Sequence, residues 1–351
     1  MTMNTFSHGL GLSTLLLAAL AGCASSSSGG ASPAKSTRLG RQVLPLPPDW
    51  LLSFTSGGGE VLRRDTQASE RKLAAAPTGF GRPIASSVDL GSLMAAVVHE
   101  HGFAVVNLSS SETEPSWLPK EWSKPPTSVF VSDVYAATLG GSEACFWDLS
   151  SAKLTLTIDL ASWSRDHRLG PAVCIVPDRS IQGRATVLFS SPERTDLQVL
   201  DFSRGTPEVV ASASILLENT KKSWWRVERC AYDGERLFLS GTQEVTGTNS
   251  SGQVVPQPSP FLMKVDLETR VYELLFRENT HALDQEVDEL AAANGMVATL
   301  RRDGLLRVFR DREKVYEKQD RPGRALAWLG ENSLAIFDAS AIETIAIPGT
   351  R

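Results

Sequence analysis

The sequence predicts an all-β fold: a single β-propeller over residues 42–351, made of seven four-stranded blades. Three observations carry this. One stretch reads as a complete blade, with Val134–Leu139, Ala144–Asp148 and Leu154–Ile158 as short strands joined at Gly140-Gly141 and Ser150-Ser151, and Ser128–Val131 as a fourth before them. A turn signal recurs between an apolar strand and the next: Asp89-Leu90-Gly91, Asp133, Asp178-Arg179, Asp233-Gly234, Asn294-Gly295 and finally Gly330-Glu331-Asn332. Asp, Asn and Gly accept the left-handed backbone of a tight hairpin, which is why they belong there. A second signal closes a later strand with Asn or Asp and then an apolar residue, in Ala104–Leu108, Phe146–Leu149, Val199–Phe202 and Lys264–Leu267. Small hairpin sheets repeated in series wrap into a wheel.

Phe146-Trp147-Asp148-Leu149 is similar to the strand end of WD-repeat and related propeller families, whose third strand closes on Trp-Asp. The other copies keep only the acidic or amide residue, and no Gly-His pair accompanies them. The resemblance implies the architecture and no subfamily.

In order, the first unit spans Pro47–Phe80, with strands near Leu51–Phe54, Glu60–Arg63 and Arg71–Ala74, and is short by one. The second is Gly81–Ser123, with strands near Leu93–Val98 and Phe103–Asn107; the third is the complete blade above. The fourth aligns Val173–Val176, Thr186–Ser190, Gln198–Asp201 and Glu208–Ala211, and the fifth Trp225–Ala231, Arg236–Ser240, Phe261–Asp266 and Arg270–Leu275. The sixth holds Glu289–Ala292, Met296–Leu300, Leu305–Arg310 and Lys314–Glu317. The seventh shows only Ala325–Trp328, Ser333–Phe337 and Thr344–Ile347. Gln42–Leu46 is therefore expected to pair onto Thr344–Ile347 and close the ring, with Pro45 tolerated on an outermost strand. Six or eight blades stay open, because the first unit is irregular.

Ahead of the wheel, Leu10–Leu20 is an apolar run too short to span a bilayer, ending in Leu20-Ala21-Gly22-Cys23. That tetrapeptide resembles the bacterial lipobox, although the preceding segment carries no Lys or Arg. The resemblance implies that residues 1–22 are a signal peptide, that Cys23 carries diacylglycerol, and that Ala24 directs the chain to the outer membrane, facing the periplasm or cell surface. Ala24–Arg41 is rich in Ser, Gly and Ala without periodicity and reads as a tether, so residues 23–41 form a lipid-anchored linker reaching about 20–25 Å. Three cysteines remain, Cys145, Cys174 and Cys230. Counted back from Asp178 and Asp233, Cys174 and Cys230 should face opposite sides, which favours buried free thiols.

Net charge of −5 and a pI near 5.7 give no footprint for nucleic acid. The connections that run from blade to blade share one face with those joining second and third strands, and unusual residues fall there. Trp50, Trp117, Trp122, Trp163, Trp224 and Trp225 lie at or beside blade junctions, where they either make a protein- or glycan-binding face or pack between blades. Gly241–Pro260 is the longest interruption, a loop that is functional or merely mobile. His99, His101, His167 and His281 map to the same face; two of them one residue apart are a weak metal signal, and solvated loop histidines are the plainer reading. The run Asp284, Glu286, Asp288, Glu289 reads as solvated surface. Lys221-Lys222-Ser223-Trp224-Trp225-Arg226 joins cations to aromatics as a glycan, lipid-headgroup or carboxylate contact would.

No nucleophile elbow, metalloprotease helix or phosphate loop is present, and no cofactor or metal is implied. The reading is a monomeric, lipid-anchored envelope protein whose propeller face holds a partner protein or envelope polymer, with Trp117, Trp122, Trp163, His167, Trp224, Trp225 and His281 as candidate contacts. The alternative is a propeller hydrolase or lyase acting on a sugar or lactone, with polar groups converging on the central channel.

Overall fold

The computed structural model describes residues 41–46, 50–89, 91–109, 114–192, 194–204, 206–215, 225–248, 251–277, 287–319 and 324–348. Cys23 and the rest of residues 1–40, together with Lys221, Lys222, Ser223, Trp224, His281, Asp284 and Glu286, lie outside the described residues. For Trp225 only the backbone is described.

Short apolar segments separated by turn residues give antiparallel sheets in chain order. The first sheet is β1 (Arg41–Leu46), β2 (Trp50–Thr55), β3 (Gly58–Arg63) and β4 (Ser69–Lys72). The second is β5 (Pro83–Asp89), β6 (Met94–His99), β7 (Gly102–Asn107) and β8 (Ser116–Pro119). The third is β9 (Ser128–Ser132), β10 (Tyr135–Gly140), β11 (Glu143–Asp148) and β12 (Lys153–Asp159), followed by helix α1 (Leu160–Asp166). The fourth is β13 (Ala172–Pro177), β14 (Arg184–Ser190), β15 (Thr195–Asp201) and β16 (Glu208–Ile215). The fifth is β17 (Trp225–Tyr232), β18 (Arg236–Thr248), β19 (Val254–Asp266) and β20 (Tyr272–Arg277). The sixth is β21 (Val287–Ala293), β22 (Met296–Arg301), β23 (Leu305–Arg310) and β24 (Glu313–Gln319). The seventh has three strands among the described residues, β25 (Ala325–Gly330), β26 (Ser333–Phe337) and β27 (Ile342–Ala346).

The first strands of successive sheets lie beside one another, from β1 through β5, β9, β13, β17, β21 and β25 and back to β1, so the sheets form a closed seven-bladed ring with those strands innermost. Core clusters fall between neighbouring blades. One joins Val98, Phe103 and Ile84 to Val131, Ala136 and Trp147; another joins Ala137, Leu139 and Phe146 to Ile175, Val187 and Phe202.

The expected closure by the N-terminal strand is corrected. Gln42–Leu46 does not pair onto the last blade; β1 pairs with β2 from Arg41↔Thr55 to Leu46↔Trp50 and supplies the strand that the first unit lacked. Ring closure is made by side chains instead, with Val43, Leu51 and Leu62 packed on Ala325, Leu329, Phe337 and Ile342. The physical reason is the short Pro47–Asp49 connection, which makes a local hairpin cheaper in loop entropy than a pairing across the whole chain.

Both repeat signals have the geometry that their residue types suggest. Asn294 and Gly295 occupy φ of 52° and 74° between the paired residues Ala293 and Met296, a two-residue turn that needs left-handed backbone at both positions. The strand-ending Asn107, Asp148, Asp201 and Asp266 fold back on their own turns, accepting from the backbone N–H of Ser109, Ser151, Ser203 and Thr269. Serial duplication shows in a further device. The register between third and fourth strands shifts after Val61, Phe146, Val199, Leu262 and Val308, so five blades carry the same outer bulge.

Candidate binding face and central cavity

The inner strands run toward the hairpin turns at Asp89, Asp133, Asp178, Asp233 and Asn294, which define one end of the ring, the turn face. The opposite end, the loop face, carries the second-to-third strand connections and the blade-to-blade connections. Trp50 begins β2 and so stands at the turn-face end, against the expectation that placed it at a blade junction; its ring lies 5.9 Å from the Arg63 guanidinium.

The described candidate tryptophans are half-buried on the loop-face side, and their polar edges are mostly engaged. Trp122 donates its indole N–H to the His99 carbonyl at 2.9 Å and meets Trp147 edge-on at 6.0 Å, between the second and third blades. Trp163 sits on α1, which Asp159 caps by accepting from the Ala161 N–H. Its indole donates to Gln198 Oε1 at 3.0 Å, and its ring stacks at 3.8 Å on the exposed His167. Trp117, on the outermost strand β8, packs edge-on against Phe54, Phe80 and His99. His167 thus caps the end of a short helix, where sequence reading expected a loop histidine.

His99 is not a solvated loop residue. It ends β6 fully buried, with Nδ1 donating to the Gly81 carbonyl at 3.2 Å and Nε2 without a hydrogen-bond partner. The strand runs one residue past its apolar stretch, which carries the imidazole inside. Burial pushes its pKa below the ordinary histidine value. The unfolded chain therefore takes up this proton first as pH falls below about 6.5, and the stabilisation present above that pH is lost as acidification proceeds toward the depressed folded value. His99→Asn keeps the donor to Gly81 and removes the titration. Its unfolding free energy, read by urea titration, is expected to fall less steeply between pH 7 and 5 than that of the unaltered chain, by at most about 1.4 kcal/mol per pH unit. Identical slopes would show that His99 is not the titrating group. His101, by contrast, is exposed and 3.3 Å from Glu121.

Gly241–Pro260 is likewise corrected from loop to ribbon. β18 and β19 pair continuously from Arg236↔Asp266 to Thr248↔Val254. β17 reaches only Gln243, and β20 only Phe261. Five residues of β18, Glu244 to Thr248, extend past β17 on the loop face, about 17 Å at strand rise. The two edges of the ribbon differ. Pro256, Pro258 and Pro260 lie at alternate positions and so point their missing N–H groups to one side; since the ladder to β18 runs through them, that side is the outer edge of β19. Their partners Glu244 and Thr246, with Thr248, then turn N–H and C=O toward the outer edge of β18, where no described strand pairs beyond Gln243.

The ring encloses a cavity of about 530 Å³ lined by inner-strand residues including Gln42, Ser86, Ser128, Cys230 and Glu289. Near the turn face two of its carboxylates accept from backbone N–H groups. Asp89 accepts from Gly91 N and from Asp133 N of the next blade, at 2.9 and 2.8 Å. Asp233 accepts from Arg236 N at 2.7 Å and from Gly295 N of the next blade at 3.0 Å. These two acids fasten blade to blade. Asp288 lies 3.4 Å from Arg302, while Glu289 faces the cavity. No group of three or more His, Cys, Asp or Glu side chains is placed to hold a metal ion among the described residues.

Sequence reading missed one surface. Val134, Leu154, Ile181, Val209, Val210, Val271 and Tyr272, seven of the eight exposed large apolar side chains among the described residues, stand toward the turn face of the third to fifth blades. Each alone is ordinary for a surface; only the ring brings them onto three successive blades.

No family model matches the chain, and no curated protein does. Among solved structures, the chain is similar to the β-propeller domain of Cps50 (Swd1) from Myceliophteria thermophila, at 11% identity and a TM-score of 0.58, covering 88% of this chain and 96% of that one. It is also similar to the WD40 β-propeller domain of Doa1, at 12% identity and a TM-score of 0.53, covering 86% and 90%. The computationally designed protein Ika8 aligns at 10% identity with a TM-score of 0.52, covering 88% and 97%. Identities this low carry the fold alone, and they agree with the WD40-like ring.

Proposed function

We propose that this chain is a lipid-anchored envelope protein that holds a partner protein, or an envelope polymer, non-covalently on its loop face. The carrying observation is the β18–β19 ribbon, whose strands of 13 residues each outgrow every other blade. One of its edges carries the prolines and the other presents backbone polar groups that no described strand pairs, a pattern suited to receiving an extended partner segment by strand addition. Trp117, Trp122, Trp163, His167, Trp224, Trp225 and His281 are proposed to border that surface. Arg41 pairs with Thr55 beside the β2–β3 turn, so the tether from Cys23 joins the propeller on the same face. A bound partner would then sit within the reach of an 18-residue coil, about 20–25 Å, from the outer membrane.

Since Gln243 and Ser259 are already paired, replacing residues 244–258 by Asn-Gly gives a two-residue hairpin that preserves the blade. The shortened chain is expected to melt as before and to lose at least about tenfold in pull-down of the partner first identified on the unshortened chain by a photoreactive group at Glu244, since strand pairing supplies most of such contacts. Undiminished capture would remove the ribbon from the interface. It would favour a second reading, in which the apolar arc around Leu154 and Val210 is the docking surface; Val210→Asp should then abolish capture.

A further inference from the structure

We infer that Cys174 and Cys230 are a built disulfide site, in which a small disulfide entering the central cavity oxidises the pair and joins the fourth blade to the fifth.

The two cysteines do point to opposite sides of their own sheets, as their spacing from Asp178 and Asp233 implies. In a ring this brings them together, because the forward side of one blade packs on the rear side of the next. Both lie on innermost strands that run side by side, β13 and β17. They share one apolar cluster with Val176, Leu237, Leu239 and Met263, Cys174 within it and Cys230 packed against it. Both are free thiols here, as expected, but facing opposite sides has not kept them apart.

Their surroundings assign an order of events. Cys230 is partly buried and lines the cavity, whereas Cys174 is wholly buried, and burial holds its thiol well above the ordinary range. Cys230 is the thiol an incoming disulfide can reach. Its thiolate attacks one sulfur of that disulfide, forming a mixed disulfide and expelling one thiolate. Cys174 then loses its proton and attacks the Cys230 sulfur, expelling the second thiolate. The two protons end on the two released thiols, and the two electrons pass to the reagent. Cys145 lies in a different cluster beside Glu143 and Thr157, with its pKa pushed up to about 11 by burial, and serves as an internal control.

Oxidation in the cell rests on the envelope address proposed above, since that compartment is oxidising; the pairing itself does not. The test treats the purified full chain with hydroxyethyl disulfide, then denatures, alkylates and digests it with trypsin. The expected result is a linked pair of peptides, residues 169–179 and 230–236, lighter by two hydrogens than their sum, with Cys145 recovered alkylated. The linked form should melt several degrees higher, and dithiothreitol should reverse this. Cys174→Ala should leave Cys230 holding the hydroxyethyl cap, and Cys230→Ser should leave Cys174 uncapped. Recovery of Cys174 and Cys230 both alkylated after prolonged treatment, or linkage to Cys145, overturns the inference. Linkage in the purified chain with reduced thiols in cells would overturn the address and leave the site standing.

Discussion

Trp147→Ala is expected to destabilise the propeller by about 3–5 kcal/mol, the range for truncating a buried aromatic. The residue is 1% exposed and stacks on Phe103 of the preceding blade at 4.1 Å between ring centres. Its indole N–H donates to Thr138 Oγ1 at 3.3 Å, and Trp122 closes the far side edge-on. Alanine leaves a void that the flanking strands cannot fill, because β10 and β11 are fixed by their own ladder, and it strands the Thr138 hydroxyl. Against a total stability of about 5–15 kcal/mol, that loss removes a large part of the margin. Leu154→Ala on the outermost strand of the same blade, 41% exposed, should stay within about 0.5 kcal/mol. Urea unfolding followed by circular dichroism reads both. A Trp147→Ala midpoint matching that of Leu154→Ala would mean that the interface between the second and third blades is not part of the cooperative unit.

The same dipeptide shows what a sequence can disclose in a repeated fold. Asp148 turns the chain and Trp147 wedges against the preceding blade, two local roles that leave a mark at fixed spacing, and four of the five outer bulges fall two residues before the end of the third strand. Strand partners are a different matter. Arg41–Leu46 is apolar enough to be a strand anywhere, and periodicity cannot say whether it pairs with Trp50–Thr55 or with the far end. The ribbon was masked for another reason: Gly247, Gly252 and three prolines read as loop composition, yet prolines two apart are what an edge strand accepts. Their spacing, rather than their number, was the usable signal. For Cys174 and Cys230 the side-chain parity was legible, and only the stacking of blades turns opposite sides into contact. The apolar arc had no local mark at all, since its members are separated by whole strands.

Cys23→Ser is expected to abolish acylation and to remove nearly all of the protein from the membrane fraction. A diacylglycerol thioether buries its methylenes at about 0.8 kcal/mol each, and more than one chain is what turns marginal binding into stable anchoring. Among the described residues no helix is long and apolar enough to cross a membrane, and a net charge of −5 gives no general attraction to anionic lipid. Labelled palmitate, followed through fractionation and a carbonate wash, reads incorporation and attachment separately. Because the serine variant can keep its leader, a second chain should carry a cleavable secretory leader in place of residues 1–23; it should appear in the soluble periplasmic fraction with its melting temperature unchanged, since the ring begins at Arg41. If that chain still pellets with membranes, attachment runs through the propeller surface and the lipid is not the anchor. If the unaltered chain takes up no palmitate, Cys23 is an incidental thiol at the end of an ordinary leader.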